Sequence, residues 1–336
     1  MTRFNKLFYE KALGFVGQQC RPLTTKALQA FQNQLSAAYR EHRSTSVLTA
    51  TESVATYAAA RMPATYHAIQ SCYQQLPADF QPQSLLDLGA GPGTASLAAL
   101  DCWQTLEQLT LVENHRLMVA FQKALWQHLN PDLSYQAVQD TIPSLGGLPH
   151  ESYDLVVLAY VLGELKPQHQ QEAVAQAWQK TRHYGLIVTP GTPHDFQYLL
   201  KARELLLSKG AIIVAPCTHQ ERCPLTGTDD WCHFSVRLQR SSLHQSAKKA
   251  TLSYEDEKFS YLLFGKVAVP LNGDKGRLVR KPIRRPGHVL LDVCANGKIN
   301  RHIVGKADAN FKKASKTEWG AMFGETVIAI CLIFFI

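Results

Sequence analysis

Leu86-Asp87-Leu88-Gly89-Ala90-Gly91-Pro92-Gly93 is the stretch on which the fold of this chain turns. A short apolar run, Ser84 to Leu88, stops at alternating glycines, and the Ala-rich segment Thr94 to Asp101 follows at once. Glycine tolerates positive φ and lets a ligand approach the backbone, so the stretch reads as strand, tight turn and helix. The same alternation continues outward. Further strands are expected at Gln108 to Val112, Leu133 to Val138, Tyr153 to Ala159, Gly185 to Thr189 and Ala211 to Ala215. Helices are expected at Arg116 to Leu129, Gln168 to Thr181 and Phe196 to Lys209. Tyr153 to Ala159 is apolar along most of its length, as suits a strand covered on both faces. The pattern gives a doubly wound parallel α/β sheet of the Rossmann-like class.

Four regions follow from the change of pattern along the chain. Residues 1–80 read as a helical region, with apolar residues at helical spacing through Leu28, Phe31, Leu35 and Ala38 and again at Val54, Tyr57 and Ala58. Pro63 is expected to break that run. Residues 81–216 form the α/β domain. Residues 217–320 carry a cysteine-rich insert and a small antiparallel β unit, with strands at Phe259 to Phe264, His288 to Val293 and Lys298 to Val304. Its turns fall at Asn272-Gly273-Asp274 and Asn296-Gly297. Residues 321–336 end in the apolar run Val327 to Ile336, ten residues against the roughly 20 a spanning helix needs. No role follows from that tail.

The composition, 46% hydrophobic and 18% charged over 336 residues, is that of a chain with a sizeable core rather than a disordered one. Formal net charge is +8 and is unevenly placed. Lys275 to Lys316 holds 12 Lys/Arg against Asp292 and Asp308, a local +10, so the remainder is slightly acidic. A basic segment on a near-neutral body points to a polyanionic partner, and the candidate phosphate contacts are Arg280, Lys281, Arg284, Arg285, Arg301 and Lys306. Met1 to Lys26 lacks the apolar core of a secretory signal. A reducing compartment is therefore the expectation for the eight cysteines, and there gathered thiols hold metal more often than disulfides. The bacterial cytoplasm is the expected location, and the basic N-terminus leaves the mitochondrial matrix as the alternative. The protein is expected to be monomeric away from its partner and to have no membrane association.

Glu113 ends the second strand about 20 residues beyond the Gly-rich turn, where an acid accepts both ribose hydroxyls of a nucleoside. A dinucleotide would want the third glycine three residues after the second, whereas Gly93 follows Gly91 by two, and Asp87 sets a negative charge where pyrophosphate would lie. An acid there suits the ammonium of an amino acid. The combination resembles the first motif of S-adenosylmethionine-dependent class I methyltransferases. That resemblance implies Asp87, Gly89, Gly91 and Gly93 around the methionine part of S-adenosyl-L-methionine, Glu113 on the ribose and Asp140 near the adenine. Tyr160 and Glu164, at the end of the fourth strand, are the candidates for positioning an acceptor, or are packing residues. No Asn-Pro-Pro-Tyr type motif is present, and no cysteine stands where a pyrimidine-C5 methyltransferase needs its nucleophile.

Cys217, Cys223, Cys232 and a distant Cys294 complete the set of chemically loaded residues. Their spacing differs from the paired C-x2-C of zinc ribbons and suits an iron–sulfur cluster, with zinc as the alternative and His219 and His233 as substitute ligands. Pro216-Cys217, Cys223-Pro224-Leu225, Trp231-Cys232-His233-Phe234 and Tyr254-Glu255-Asp256-Glu257-Lys258-Phe259-Ser260-Tyr261 together resemble the ribosomal small-subunit methyltransferase-like (Rsm-type) family. Tyr160-Val161-Leu162-Gly163-Glu164-Leu165 and Pro190-Gly191-Thr192-Pro193 extend the likeness, which runs from about Ser53 to Trp319. The resemblance implies a methyltransferase fold, a [4Fe-4S] cluster on the four cysteines, and action on the small ribosomal subunit and its rRNA. It implies either methyl transfer to that RNA or a non-catalytic role in subunit assembly.

Overall fold

Strands that are apolar at nearly every position must be covered on both faces, and the runs that meet this condition form the centre of the sheet. These are β1 (Ser84–Leu88) and β4 (Tyr153–Ala159), flanked by β2 (Gln108–Glu113), β3 (Ser134–Gln139) and β5 (Thr181–Pro190). The coordinates are a computed structural model, and they describe residues 6–40, 48–129, 133–142, 147–267 and 275–324. The expected turn at 272–274 and the apolar run 327–336 lie outside the described residues. The sheet order is β3-β2-β1-β4-β5-β8-β6, with β6 at Ile212–Ala215 and β8 at Tyr254–Gly265. β7 (Phe234–Gln239) pairs with the first half of β8.

β8 corrects one expectation. Phe259 to Phe264 lies in the main sheet, wedged antiparallel between β5 and β6, and not in the small C-terminal unit. Three buried apolar residues in a row, Leu262, Leu263 and Phe264, need cover on both faces. The helices flanking the main sheet provide it, whereas an exposed antiparallel unit does not. The sheet is therefore mixed rather than wholly parallel, and the α/β body extends past residue 216.

One face of the sheet carries α1 (Leu7–Cys20), α3 (Thr51–Tyr73), α4 (Thr94–Cys102) and α5 (Arg116–Leu129), joined in one apolar core. The other carries α6 (Pro167–Lys180) and α7 (Pro193–Ser208). α2 (Thr25–Arg40) packs beside α3 and the short α8 (Ser242–Lys248), and its Gln29 donates to the Ser246 carbonyl at 3.3 Å. Pro63 does not break the helical region, because α3 runs through it. Small neighbours, Ala58, Ala59 and Ala60, precede the ring in the turn it presses on, and both sides of the helix at this point are buried. Burial outweighs the local penalty of proline here. The expected helical region also gains α1, whose Tyr9, Ala12, Phe15, Val16 and Cys20 are buried.

The small C-terminal unit is a second sheet of β9 (Gly276–Leu278), β10 (Ile283–Arg284), β11 (His288–Ala295), β12 (Lys298–Gly305) and β13 (Met322–Phe323). α9 (Phe311–Lys316) lies on one face, over a core of Leu278, Val289, Leu291, Val293 and Val304. The β11–β12 hairpin turns at Asn296-Gly297, with φ of 48° and 71°, as the sequence predicts.

Asp101 fastens the N-terminal helix to the α/β body. Its buried carboxylate accepts from the backbone N–H of Phe8 at 2.9 Å and of Tyr9 at 3.0 Å, and from the Tyr66 hydroxyl at 2.9 Å. Asp101→Ala strands three donors, which costs about 2–3 kcal/mol. Amide exchange should accelerate across Leu7–Cys20 before the rest of the molecule, and equal acceleration everywhere would show that α1 is not held separately.

Candidate functional site

The Gly-rich turn takes its shape from β2. Gly89 and Ala90 both donate backbone N–H to the Val112 carbonyl at 2.9 Å, and Gly93 closes the turn by donating to Ala90 at 2.8 Å. Gly89, Gly91 and Gly93 adopt φ of 70°, 53° and 83°, a region that side chains disfavour. A Cβ on Gly89 would collide with Val161, and one on Gly93 would press on Leu111 and Trp126. The turn thus lies flat against its neighbours and opens a cleft of about 440 Å³ at the ends of β1, β2 and β4.

Gly89, Gly91, Glu113, Asp140, Tyr160 and Glu164 all line this cleft. Asp87 and Gly93 do not. Asp87 is buried behind the turn, where its carboxylate accepts from the Ser96 hydroxyl at 2.9 Å. Burial pushes its pKa up to about 7, and the nearby Glu113 adds to the rise. Glu113 accepts from the Gly91 N–H at 2.9 Å and the His115 N–H at 2.8 Å, which aim its carboxylate across the cleft floor. Burial raises its pKa while those backbone donors oppose the rise. Asp140 accepts from its neighbour Thr141 at 2.7 Å.

Tyr160 is the strained residue of the site, a tyrosine at φ 62°. Its N–H donates to Val188 at 2.7 Å and its hydroxyl to Glu257 at 3.1 Å. Arg61 bonds the same Glu257 oxygen at 3.1 Å and stands 5.6 Å over the Tyr160 ring. Burial and the Glu257 charge both raise the phenol pKa. α3 therefore reaches the cleft directly through Tyr57 on its wall and indirectly through Arg61, which bears on Tyr160 and Glu257. Sequence reasoning missed this contribution. The helical spacing of Tyr57 and Arg61 places them on one face, and that was the available signal.

A second, much smaller cavity of about 40 Å³ lies where β6 ends and β7 begins along the edge of β8. Cys217, Cys223 and Cys232 from the intervening loop line it together with Cys294 from β11. The row Arg277, Cys294 and Ile299 across β9, β11 and β12 faces this cavity, and Ser260 of β8 donates to the Cys232 carbonyl at 2.8 Å. Trp231 holds the loop to the end of β5 by donating to Gly191 at 3.0 Å. His219 Nε2 lies 3.6 Å from the Cys294 sulfur, whereas His233 stacks on Trp231 and does not line the cavity.

Two arginines are buried at the same place. Arg277 donates to the Pro216 carbonyl at 3.0 Å, to Gln75 at 2.7 Å and to the Gly320 carbonyl at 2.8 Å. Arg203 donates to the His219 carbonyl at 3.2 Å and the Glu221 carbonyl at 2.7 Å, while its Nε and His219 Nδ1 are buried with no hydrogen-bond partner among the described residues. Burial raises the pKa of the Cys223, Cys232 and Cys294 thiols, that of Cys294 to about 12, and the arginines Arg203 and Arg280 oppose the rise at Cys294. Among the described residues no group of three or more His, Cys, Asp or Glu is drawn together tightly enough for a single metal ion. Four thiols around one cavity, two buried guanidinium groups and an orphaned N–H on its wall are the groups a metal centre would draw on there.

The six candidate phosphate-binding residues do not form one patch. Lys281, Arg285 and Lys306 are exposed. Arg280 pairs with Asp230 and also donates to the Val279 carbonyl at 2.6 Å. Arg284 donates to the carbonyls of Ser315 at 2.8 Å and Thr317 at 2.7 Å on the α9 side. Arg301 forms a two-pronged pair with Asp292, at 2.7 and 2.9 Å, on the opposite face. No helix among the described residues is long and apolar enough to cross a membrane.

Several known proteins are similar to this chain. The human mitochondrial ribosome assembly protein METTL17 is 26% identical over 288 residues, covering 79% of this chain and 61% of the human protein. The mitochondrial ribosome assembly protein RSM22 of Saccharomyces cerevisiae is 21% identical over 379 residues, covering 69% of this chain and 59% of its own length. The chain thus spans about three fifths of the length of these two relatives. Among solved structures, magnesium protoporphyrin IX methyltransferase from Synechocystis with bound SAM superposes with a TM-score of 0.39 at 13% identity, covering 72% of this chain and 97% of that one. Precorrin-6y C5,15-methyltransferase from Geobacter metallireducens gives 0.40 at 13% identity, over 60% and 87%. The family model described as mitochondrial small ribosomal subunit Rsm22 matches residues 51–324, and this chain belongs to that family.

Proposed function

We propose that this protein is an S-adenosylmethionine-binding, methyltransferase-like factor that acts on the small ribosomal subunit during its assembly. The observation that carries the reading is that one stretch, matched throughout by the Rsm22 family, contains both the nucleoside-sized cleft and the four-cysteine cavity. The relatives' names, as mitochondrial ribosome assembly proteins, supply the ribosomal context and support the mitochondrial-matrix alternative. The bacterial cytoplasm stays the expectation drawn from the sequence.

In this reading Glu113 accepts the ribose hydroxyls, Gly89 and Gly91 let the amino-acid part lie against the backbone, and Asp140 borders the adenine end. Asp87 and Gly93 act from behind, Asp87 as a buried acid bracing the turn through Ser96 and Gly93 by letting it pack on β2. S-adenosylmethionine supplies an electrophilic methyl group when bound. A [4Fe-4S] cluster on Cys217, Cys223, Cys232 and Cys294, with zinc as the alternative, would join the loop before β7 to the C-terminal sheet and fix the angle at which its cations meet RNA. Lys281, Arg285 and Lys306 contact phosphate there, and such contacts position without reading sequence.

Methyl transfer to rRNA is the enzymatic form of this proposal. A non-catalytic form is favoured by Tyr160, whose hydroxyl is held by Glu257 beneath Arg61 instead of facing an acceptor. Incubating immature small subunits with protein and methyl-labelled cofactor separates the two, since label in rRNA requires the enzyme and its absence under saturating cofactor supports the factor. Cofactor binding itself is read by calorimetry. Glu113→Ala should weaken it about tenfold or more, through loss of a buried acceptor. An unchanged affinity would remove Glu113 from the site. RNA binding should fall steeply with salt, and Lys281→Ala and Lys306→Ala should each lower the log–log slope by about one. A flat salt response would contradict phosphate contact.

A further inference from the structure

One face of the C-terminal sheet is covered at one end and open at the other. Side chains paired across antiparallel strands share a face, so the register fixes four rows running away from the cavity. The first, Arg277, Cys294 and Ile299, faces the four-cysteine cavity. The second is Asp292 and Arg301; the third is Ile283, Leu290 and Ile303 across β10, β11 and β12; the last is His288 and Gly305. In the third row Ile303 is 68% exposed and Ile283 41%. A row of branched aliphatic side chains facing water on a sheet has no folding purpose, since α9 and the small core occupy the other face.

Its surroundings narrow the occupant. Exposed Lys281 and Arg285 flank β10 and exposed Lys306 follows β12, while Asp292, opposite Arg301, is the one acid in 280–306, so these surroundings favour an anionic occupant. It must also bring apolar or flat groups to the aliphatic row. The Arg301 guanidinium, 58% exposed and held by both Asp292 oxygens, offers a fixed plane one row away. Two strand spacings make the aliphatic row about 10 Å across. Regular RNA duplex turns phosphates and 2′-hydroxyls outward and gives aliphatic groups nothing to bury, whereas unpaired nucleotides present ring faces between phosphates.

We propose that the outer face of β10–β12 binds a short unpaired RNA segment, with bases against Ile283, Leu290 and Ile303 and one stacked on the Arg301 plane, while Lys281, Arg285 and Lys306 meet the phosphates. The proposal rests on the RNA-binding reading above and specifies the form of RNA at that site. Double substitution Ile283→Ser with Ile303→Ser removes the apolar row without changing charge.

The test uses the full chain and two labelled probes followed by fluorescence anisotropy: an unstructured RNA of about ten nucleotides and a blunt duplex of the same sequence. The expected result is tighter binding of the single strand. The double variant should lose about tenfold for it, with the duplex affinity and the salt slope unchanged. Arg301→Lys, which keeps the charge and loses the plane, should weaken the single strand alone. Lys281→Ala with Lys306→Ala should weaken both probes, and a thermal unfolding midpoint equal to wild type checks that the exposed substitutions leave the fold intact. Equal binding of both probes by the wild type, or a double variant indistinguishable from it, overturns this proposal and leaves general phosphate binding standing. No salt-dependent binding of either probe overturns the RNA-binding reading itself. Displacement of the single strand by polyglutamate in a manner that depends on Ile303 would assign the face to an acidic protein, and self-association abolished by the double variant would assign it to a second copy; both overturn the proposal.

Discussion

A twelve-residue antiparallel strand wedged into a parallel sheet is the constraint on which the remaining architecture depends. β8 pairs with β5 along Phe259–Gly265, while its other edge is shared by β7 below and β6 above. Neither neighbour covers Ser260, Tyr261 and Leu262 on that edge, and the loop between β6 and β7 must fill the gap. That loop carries three of the four cysteines. The cavity is thus a consequence of strand pairing, and the sequence needs only to place thiols where the sheet leaves room.

The fourth cysteine arrives with a separate sheet, and buried arginine makes the joint. An unpaired guanidinium in the interior is costly, so Arg277 is tolerated only because Gln75, Pro216 and Gly320 all accept from it. Those acceptors belong to the end of the N-terminal helical region, the cysteine loop and the C-terminal unit. One side chain therefore ties three parts of the chain at the wall of the cavity. Gln75 lies just beyond the end of α3, whose Tyr57 lines the cleft and whose Arg61 bears on Tyr160.

Local pattern made the α/β rhythm legible: β1, β2, β4 and the helices between them fall within a residue or two of their expected positions, and so does the Asn296-Gly297 hairpin. What the sequence could not reveal was non-local pairing. Phe259 to Phe264 reads the same whether it sits in an outlying unit or the middle of the main sheet. Pro63 shows local propensity losing to burial. The candidate cofactor residues fall into two groups, those lining the cleft and those bracing it from behind, and no spacing rule distinguishes Asp87 from Glu113 in that respect. Arg203 was readable in principle, since it occupies the apolar stripe of α7 with Phe196, Leu199, Leu200 and Leu206. The division of the six cations between two faces of the C-terminal sheet follows from register, which only the paired strands define.

In the proposed function four thiols from two distant parts of the chain would hold one inorganic centre, and that centre would orient the cations of the C-terminal sheet. Iron and acid-labile sulfide counted on protein purified without oxygen test it most directly, alongside the Cys294→Ser variant. About four of each per chain are expected, with thiolate-to-iron absorbance that is lost or sharply reduced in the variant. Stoichiometric zinc without sulfide, or a full complement of iron and sulfide that survives loss of the Cys294 thiol, would contradict it.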